Sequence, residues 1–268
     1  MYLGTFQNKS SHRLEFDSSM RGILLKMTSQ EGDIDVIDNV KVSVELQSPG
    51  NRRIAITPPT SVNDYGLLTS LDSQNNNQFN IDIRPTEIAT KGYTYWRMLN
   101  LTPDGNLELR EDEKLIYTLT GTDGFVIEID TVVSTFSTNR ILTFESEEIQ
   151  AGTNVLFNCR RGHSLLLHDL IAEDQIIINY ADNSSIRKGS NELKFMSMTS
   201  DMVATREIVS NDRYVKDLNS VTEHQVLDLT GDNPILSIEF ENVQSDTIIT
   251  QLVVKARQGD GVVELPKK

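Results

Sequence analysis

The 268-residue chain holds 25 Lys and Arg against 39 Asp and Glu, a formal net charge of −14, with 4 His and 1 Cys. That charge repels nucleic acid and anionic lipid over most of the surface, which argues against direct genome binding, and one cysteine excludes an internal disulfide scaffold. The N-terminal residues lack a basic stretch followed by a long apolar run, and no segment approaches the roughly 18 apolar residues of a membrane span. The sequence therefore predicts synthesis in a reducing cytoplasm and a product that stays soluble until it assembles.

Short alternating or β-branched segments, separated by Gly, Asn, Asp and Pro, dominate the chain and read as strands and turns. Residues 22–27 give an early strand, and Val40 to Leu46 alternates apolar and polar residues strictly. Residues 53–57 follow, then Thr60 to Leu71 reads as a short capped helix with Val62, Tyr65, Leu68 and Leu71 on one face. Gln74 to Gln78 reads as an exposed loop tip, and Phe79 to Ile83 again alternates. Strands at 98–101, 107–109, 114–119 and 125–133 complete the first half, with a tight turn at Pro103-Asp104-Gly105-Asn106. In the second half the strands read as 141–144, 155–159, 164–168, 175–180, 225–229, 235–240 and 247–256. Residues 191–203 are the counterpart of the first helix, and 208–221 read as a long polar loop.

Two five-residue stretches echo each other at one offset. Leu14 to Ser18 returns as Leu142 to Ser146, and Met98 to Thr102 as Val226 to Thr230, both displaced by 128 positions. Residues 1–134 carry 12 basic and 19 acidic side chains and residues 135–268 carry 13 and 20, so each half holds −7. Fixed-period similarity with matched charge and strand number indicates tandem duplication. The expected fold is all-β: two antiparallel β-sandwich or jelly-roll domains with a few short helices, spanning 1–134 and 135–258, followed by a tail at 259–268.

No catalytic constellation accompanies this fold. His12, His163, His168 and His224 show no metal-binding spacing, and Gly162-His163-Ser164-Leu165-Leu166 lacks the closing glycine of a nucleophile elbow. Cys159 ends an apolar segment and reads as a buried thiol. Asp33, Asp35 and Asp38, or Glu111-Asp112-Glu113, supply the oxygens a structural Ca²⁺ would need, against the plainer reading of solvated loop acids. Tyr93, Tyr95 and Trp96 form either an aromatic sugar-binding platform or the edge of a core. The sequence predicts no enzyme and no cofactor beyond such a Ca²⁺.

The strands Ile37 to Val44 and Glu173 to Tyr180, each followed by a turn and a short helix, and the closing strands 125–133 and 247–256 carry a resemblance. In pattern and size the chain resembles the double jelly-roll major capsid proteins of tailless, membrane-containing icosahedral bacteriophages, the corticovirus type most of all. The resemblance spans nearly the whole chain but includes no diagnostic motif.

What the resemblance implies is a homotrimer whose six jelly rolls form a pseudo-hexagonal tile. That tile would contact neighbouring capsomers and other capsid, penton or membrane proteins of the virion. An internal lipid membrane would lie beneath the shell, where peripheral contact would need a basic end such as Lys267-Lys268 or the Lys9 and Arg13 region to face inward. A phage spike or a carbohydrate- or receptor-binding β-sandwich without catalysis is the competing expectation, and it would use Tyr93, Tyr95 and Trp96.

Overall fold

The computed structural model describes residues 2–7, 9–29, 37, 39–72, 81–85, 93–160, 162–168, 170–171, 173–193, 207–210, 213–217, 225–229, 232–258 and 261–264. The first half contributes β1 (Tyr2–Gln7), β2 (Ser11–Phe16), β3 (Gly22–Ser29), β4 (Lys41–Ser48), β5 (Arg52–Ser61), α1 (Val62–Asp72), β6 (Ile81–Pro85), β7 (Thr94–Asn100), β8 (Asn106–Leu107), β9 (Lys114–Thr120) and β10 (Phe125–Val132). There follow β11 (Ser137–Thr138), β12 (Arg140–Ile149), β13 (Asn154–Asn158), β14 (Gly162–Leu167), β15 (Gln175–Tyr180) and β16 (Ser185–Gly189). The chain ends with β17 (Glu207–Ser210), β18 (Arg213–Asp217), β19 (Gln225–Asp228), β20 (Ile235–Glu241), β21 (Thr247–Gln258) and β22 (Gly261–Glu264).

The chain divides into two compact units. Unit 1 comprises Met1–Thr143, Thr205–Asn219 and Lys255–Pro266; unit 2 comprises Phe144–Ala204, Ser220–Val254 and Lys267–Lys268. In unit 1 one sheet runs β1-β10-β3-β7 and continues through β6, β18 and β17, and the other runs β2-β9-β4-β5. The chain crosses between the two sheets except at the hairpins β4–β5 and β6–β7, and the last strand of the roll, β10, inserts between β1 and β3. That connectivity is a jelly roll. The second set of strands repeats it: β12-β21-β14-β19 in one sheet and β13-β20-β15-β16 in the other, with β21 inserted between β12 and β14.

Each of the eight strands β1-β10-β3-β7 and β2-β9-β4-β5 thus has a counterpart at the same place in the second roll, and the topology tests the two sequence echoes separately. The first echo sets β7, which holds residues 98–100, against β19, which holds residues 226–228, and these strands are counterparts. Residues 14–18 and 142–146 set β2 against β12, which are not; the counterpart of β2 is β13. A constant offset is not kept because the loops differ in length. β3 and β14 begin at Gly22 and Gly162, whereas β9 and β20 begin at Lys114 and Ile235.

The alternation read in the sequence produces the cores. In β4 the side chains of Val42, Val44 and Leu46 are fully buried while Lys41 faces solvent, each buried aliphatic contributing about 1.5–3 kcal/mol. In unit 2, Phe157, Leu165, Leu167, Ile176, Ile178, Ile238 and Phe240 belong to one core cluster. The helix α1 begins at Val62, whose N–H donates to the Val40 carbonyl at 2.9 Å. Ser61 Oγ accepts from the Asn63 N–H at 3.2 Å, an N-terminal cap. Val62, Tyr65 and Leu68 are buried as expected, and the Tyr65 hydroxyl donates to the Asn100 carbonyl at 3.0 Å. Asn63 Oδ1 accepts from Nε of the fully buried Arg97 at 2.8 Å, tying helix to strand β7.

The Pro103–Asn106 turn is fixed by its side chains. Thr102 Oγ1 donates to the Gly105 carbonyl. Asn106 exchanges two hydrogen bonds with the Ser134 backbone, at 2.8 and 2.6 Å. A side chain at Gly105 would press on the Phe136 ring at 3.0 Å. At Gly121, φ is +71° and an added Cβ would meet the Asn39 carbonyl oxygen at 2.3 Å, so the β9–β10 turn requires glycine there.

Strands β1, β2, β11 and β16 stand where the sequence reading placed none, and further segments differ from it. The stretch 208–221 contains the hairpin β17–β18, and β18 pairs with β6 to extend the unit 1 sheet. Within the expected tail, β22 pairs with the end of β21. The expected helix at 191–203 is helical over 190–193; residues 194–203 lie outside the described residues, as does the loop tip Gln74 to Gln78. The hairpin mixes Ile208, Val209, Tyr214 and Val215 with charged and polar residues, and β18 joins the sheet by pairing with β6.

A buried ion pair holds the end of β21 within unit 1. Arg257 bonds the Glu113 carboxylate and donates to the Glu108 carbonyl at 2.6 Å, and its own N–H donates to the Asn139 carbonyl at 2.7 Å. Glu113 Oε2 also accepts from the Arg110 N–H at 2.7 Å. Burial alone would raise the Glu113 pKa, but the Arg257 hydrogen bond and the Arg110 N–H outweigh it and hold the carboxyl below its usual value. A carboxylate depressed on folding contributes stability above its unfolded pKa and loses it as pH falls through the folded value. Arg257→Ala, which leaves Glu113 buried without its cation, should cost about 3–5 kcal/mol in urea unfolding at pH 7. The loss should shrink as the pH is lowered toward 3; a pH-independent loss would show that the pair is not the cause.

Candidate assembly surface

The sheet β13-β20-β15-β16 presents one face to the unit 2 core and the other outward. Its register aligns Leu156, Glu239, Ile177 and Arg187 in one outward row and Asn158, Ser237, Asn179 and Ser185 in the next. Asn179 Nδ2 donates to Ser237 Oγ at 3.1 Å and to Glu239 Oε1 at 2.7 Å, while Ser185 Oγ donates to Asn179 Oδ1 at 2.6 Å. Arg187 pairs with Glu241 at 2.6 Å. The middle of the face is thus a satisfied polar network, and the apolar Leu156 stands 54% exposed on its outermost strand. In unit 1 the large exposed apolar side chains include Val133 and Phe136, flanking the start of β11.

The aromatic trio does not share a face. Strand alternation buries Tyr93 and Tyr95 beneath the sheet, their rings stacked at 6.4 Å, with Phe125 edge-on to Tyr95 at 6.2 Å. Trp96 lies on the opposite face in a cross-strand row with Lys26 and Glu128. The Lys26 ammonium sits 5.6 Å from the Trp96 ring centroid and 2.7 Å from Glu128 Oε1. A sugar-stacking platform needs adjacent exposed rings, and these three side chains do not provide one.

Asp33, Asp35 and Asp38 lie outside the described residues. The second acidic cluster is separated by its own turn: Glu111 and Asp112 are exposed, Asp112 at φ +62°, while Glu113 turns inward to Arg257. Among the described residues no group of three or more His, Cys, Asp or Glu is placed to hold a metal ion. His12 is buried in β2, where burial first and the Lys9 charge second lower its pKa, so it is neutral at physiological pH. Sequence reasoning missed the Glu113–Arg257 pair, since its partners are 144 residues apart and no local pattern marks either.

Cys159 is half-buried at the end of β13 and packs against the unit 2 core. Burial pushes its thiol up to about 12, which leaves almost no thiolate at neutral pH. In the native protein at pH 8 it should react with a disulfide reagent at least about 100-fold more slowly than in the urea-unfolded chain. Equal rates would show an accessible thiol.

No family model matches the sequence, and no curated protein matches it. Solved structures do share its fold. The major capsid protein of Sulfolobus turreted icosahedral virus superposes with a TM-score of 0.52 at 10% identity, over 95% of each chain. A chain of the atomic structure of that virus gives 0.50 at 9% identity, over 95% of this chain and 89% of that one. The major capsid protein P2 of bacteriophage PM2 gives 0.46 at 10% identity, over 97% and 96%. The double jelly-roll fold expected from the sequence is therefore found over nearly the whole chain.

Proposed function

We propose that this chain is a structural virion protein, the major capsid protein of an icosahedral virus, and not an enzyme. In this reading three copies form a homotrimer whose six jelly rolls make a pseudo-hexagonal tile. Such tiles pack against neighbouring capsomers and other penton or membrane proteins of the virion, over an internal membrane, after synthesis in the host cytoplasm. The first roll corresponds to residues 1–134, the second to 135–258, and 259–268 to a terminal arm. The observation that carries the proposal is the repeated strand order: two rolls of identical connectivity in one chain.

The physical reason is symmetry. A three-fold assembly of a chain with two equivalent rolls presents six similar flanks, so each trimer can meet six neighbours through alike contacts. Support also comes from the shared fold of a viral major capsid protein over 95% of each chain. The strong negative charge fits a shell component whose contacts are with protein more than with genome.

Light scattering on the purified full chain tests this. The expected particle is a stable trimer of 30.2 kDa chains that does not bind nucleic acid at physiological salt. A monomer at all concentrations would overturn the proposal, most clearly one that binds glycans.

A further inference from the structure

Sheet edges expose unpaired backbone groups and are usually blunted by charge, proline or a bulge. Most of the described edge strands follow that rule. β2 carries Arg13 and Glu15, β5 carries Arg52, Arg53, Pro58 and Pro59, and β16 carries Arg187 and Lys188. β12 carries Glu145, Glu147 and Glu148, and β1 breaks its register between Tyr2 and Gly4. β17, β19 and β22 each include an acid: Glu207, Asp228 and Glu264. Strand β13, Asn154-Val155-Leu156-Phe157-Asn158, has none of these devices. It forms one edge of its four-stranded sheet and exposes Asn154, Leu156 and Asn158.

Its hydrogen-bond phase is fixed by β20. The Asn242 N–H donates to the Thr153 carbonyl and the Cys159 N–H to the Leu236 carbonyl. With the register Val155 to Phe240 and Phe157 to Ile238, the odd-numbered residues bond to β20. The N–H and C=O groups of Asn154, Leu156 and Asn158 therefore point to the open edge. The sequence of the strand is also nearly symmetric about Leu156: an asparagine at each end, an apolar residue next on each side, and leucine at the centre.

We propose that β13 is a homotypic docking edge, pairing antiparallel with β13 of a second copy about a two-fold axis through Leu156. That register sets Leu156 against Leu156 and Asn154 against Asn158, and it uses the outward-pointing backbone groups of all three residues. Val155 then lies beside Phe157 on the core side, and no charged side chain enters the contact row. The edge satisfies the self-complementarity that a two-fold contact requires. A second copy supplies it without any further partner, and the two four-stranded sheets become one continuous sheet. Five residues make a small contact, so it operates where many copies are held close together, as avidity allows. Its use as a two-fold contact between tiles rests on the capsid reading; the pairing itself does not.

Disulfide trapping tests the register. Residues opposed in a hydrogen-bonded antiparallel pair have Cα atoms about 5.5 Å apart, within disulfide reach. The full chain would carry Cys159→Ser with Leu156→Cys, and a control would carry Cys159→Ser with Ile186→Cys on the opposite edge; diamide serves as oxidant, taking up the hydrogens of the two thiols. The Leu156→Cys protein should give covalent dimers at least about tenfold faster than the control, and Leu156→Lys in the wild-type background should abolish concentration-dependent pairing. Equal cross-linking rates, or unchanged pairing in folded Leu156→Lys, would overturn the proposal. Trimers that do not cross-link at residue 156 sink the pairing and leave the capsid reading standing. Cross-linked dimers without trimers do the reverse.

Discussion

Each jelly roll depends on one non-local pairing, the insertion of its last strand between its first and third. β10 bonds to β1 on one side and to β3 on the other, and β21 does the same between β12 and β14. Until those strands arrive, the neighbours on either side display unpaired backbone groups that only water can satisfy. The insertion also sets which residues face inward, because a one-residue slip would exchange every buried side chain of β10 for an exposed one. Ile127 and Ile129 are fully buried on that strand while Val126 and Glu128 face the other side. Near its end, β21 is held by Arg257, which is anchored on the buried Glu113 carboxylate.

The strands with strong alternation were legible because their chemistry is local. Lys41 to Ser48, Lys114 to Thr120 and Phe125 to Val132 each bury every second side chain along most of their length. The helix was legible through Val62, Tyr65 and Leu68 and the serine before it. One missed strand, β2, does alternate, with His12, Leu14 and Phe16 buried between exposed Ser11, Arg13 and Glu15; others carry no regular apolar period. β16 is exposed through Ser185, Ile186 and Arg187, and β17 and β18 form a hairpin that extends the sheet by pairing with β6. Edge strands of this kind are specified by their neighbours and not by their own composition.

The duplication was also only partly legible. The echo between residues 98–102 and 226–230 joins true counterparts, whereas the one between 14–18 and 142–146 joins strands of different position. Two short apolar-polar strings resemble each other wherever strands share a period of two, so the match carries little information about which strand is which. Matched strand number was the better guide, since it reflects the connectivity that the two rolls share. The aromatic trio shows the same limit. Tyr93, Tyr95 and Trp96 are adjacent in sequence, but the pleat sends the tyrosines to the core and the tryptophan to a charged row beside Lys26.

The proposed self-assembly rests on two rolls of one connectivity and on the uncharged edge strand β13. The most direct test of that account is electron microscopy of the purified full chain. Class averages with three-fold symmetry and a six-sided outline are predicted. Single chains without three-fold symmetry, at concentrations where the protein remains folded, would contradict it.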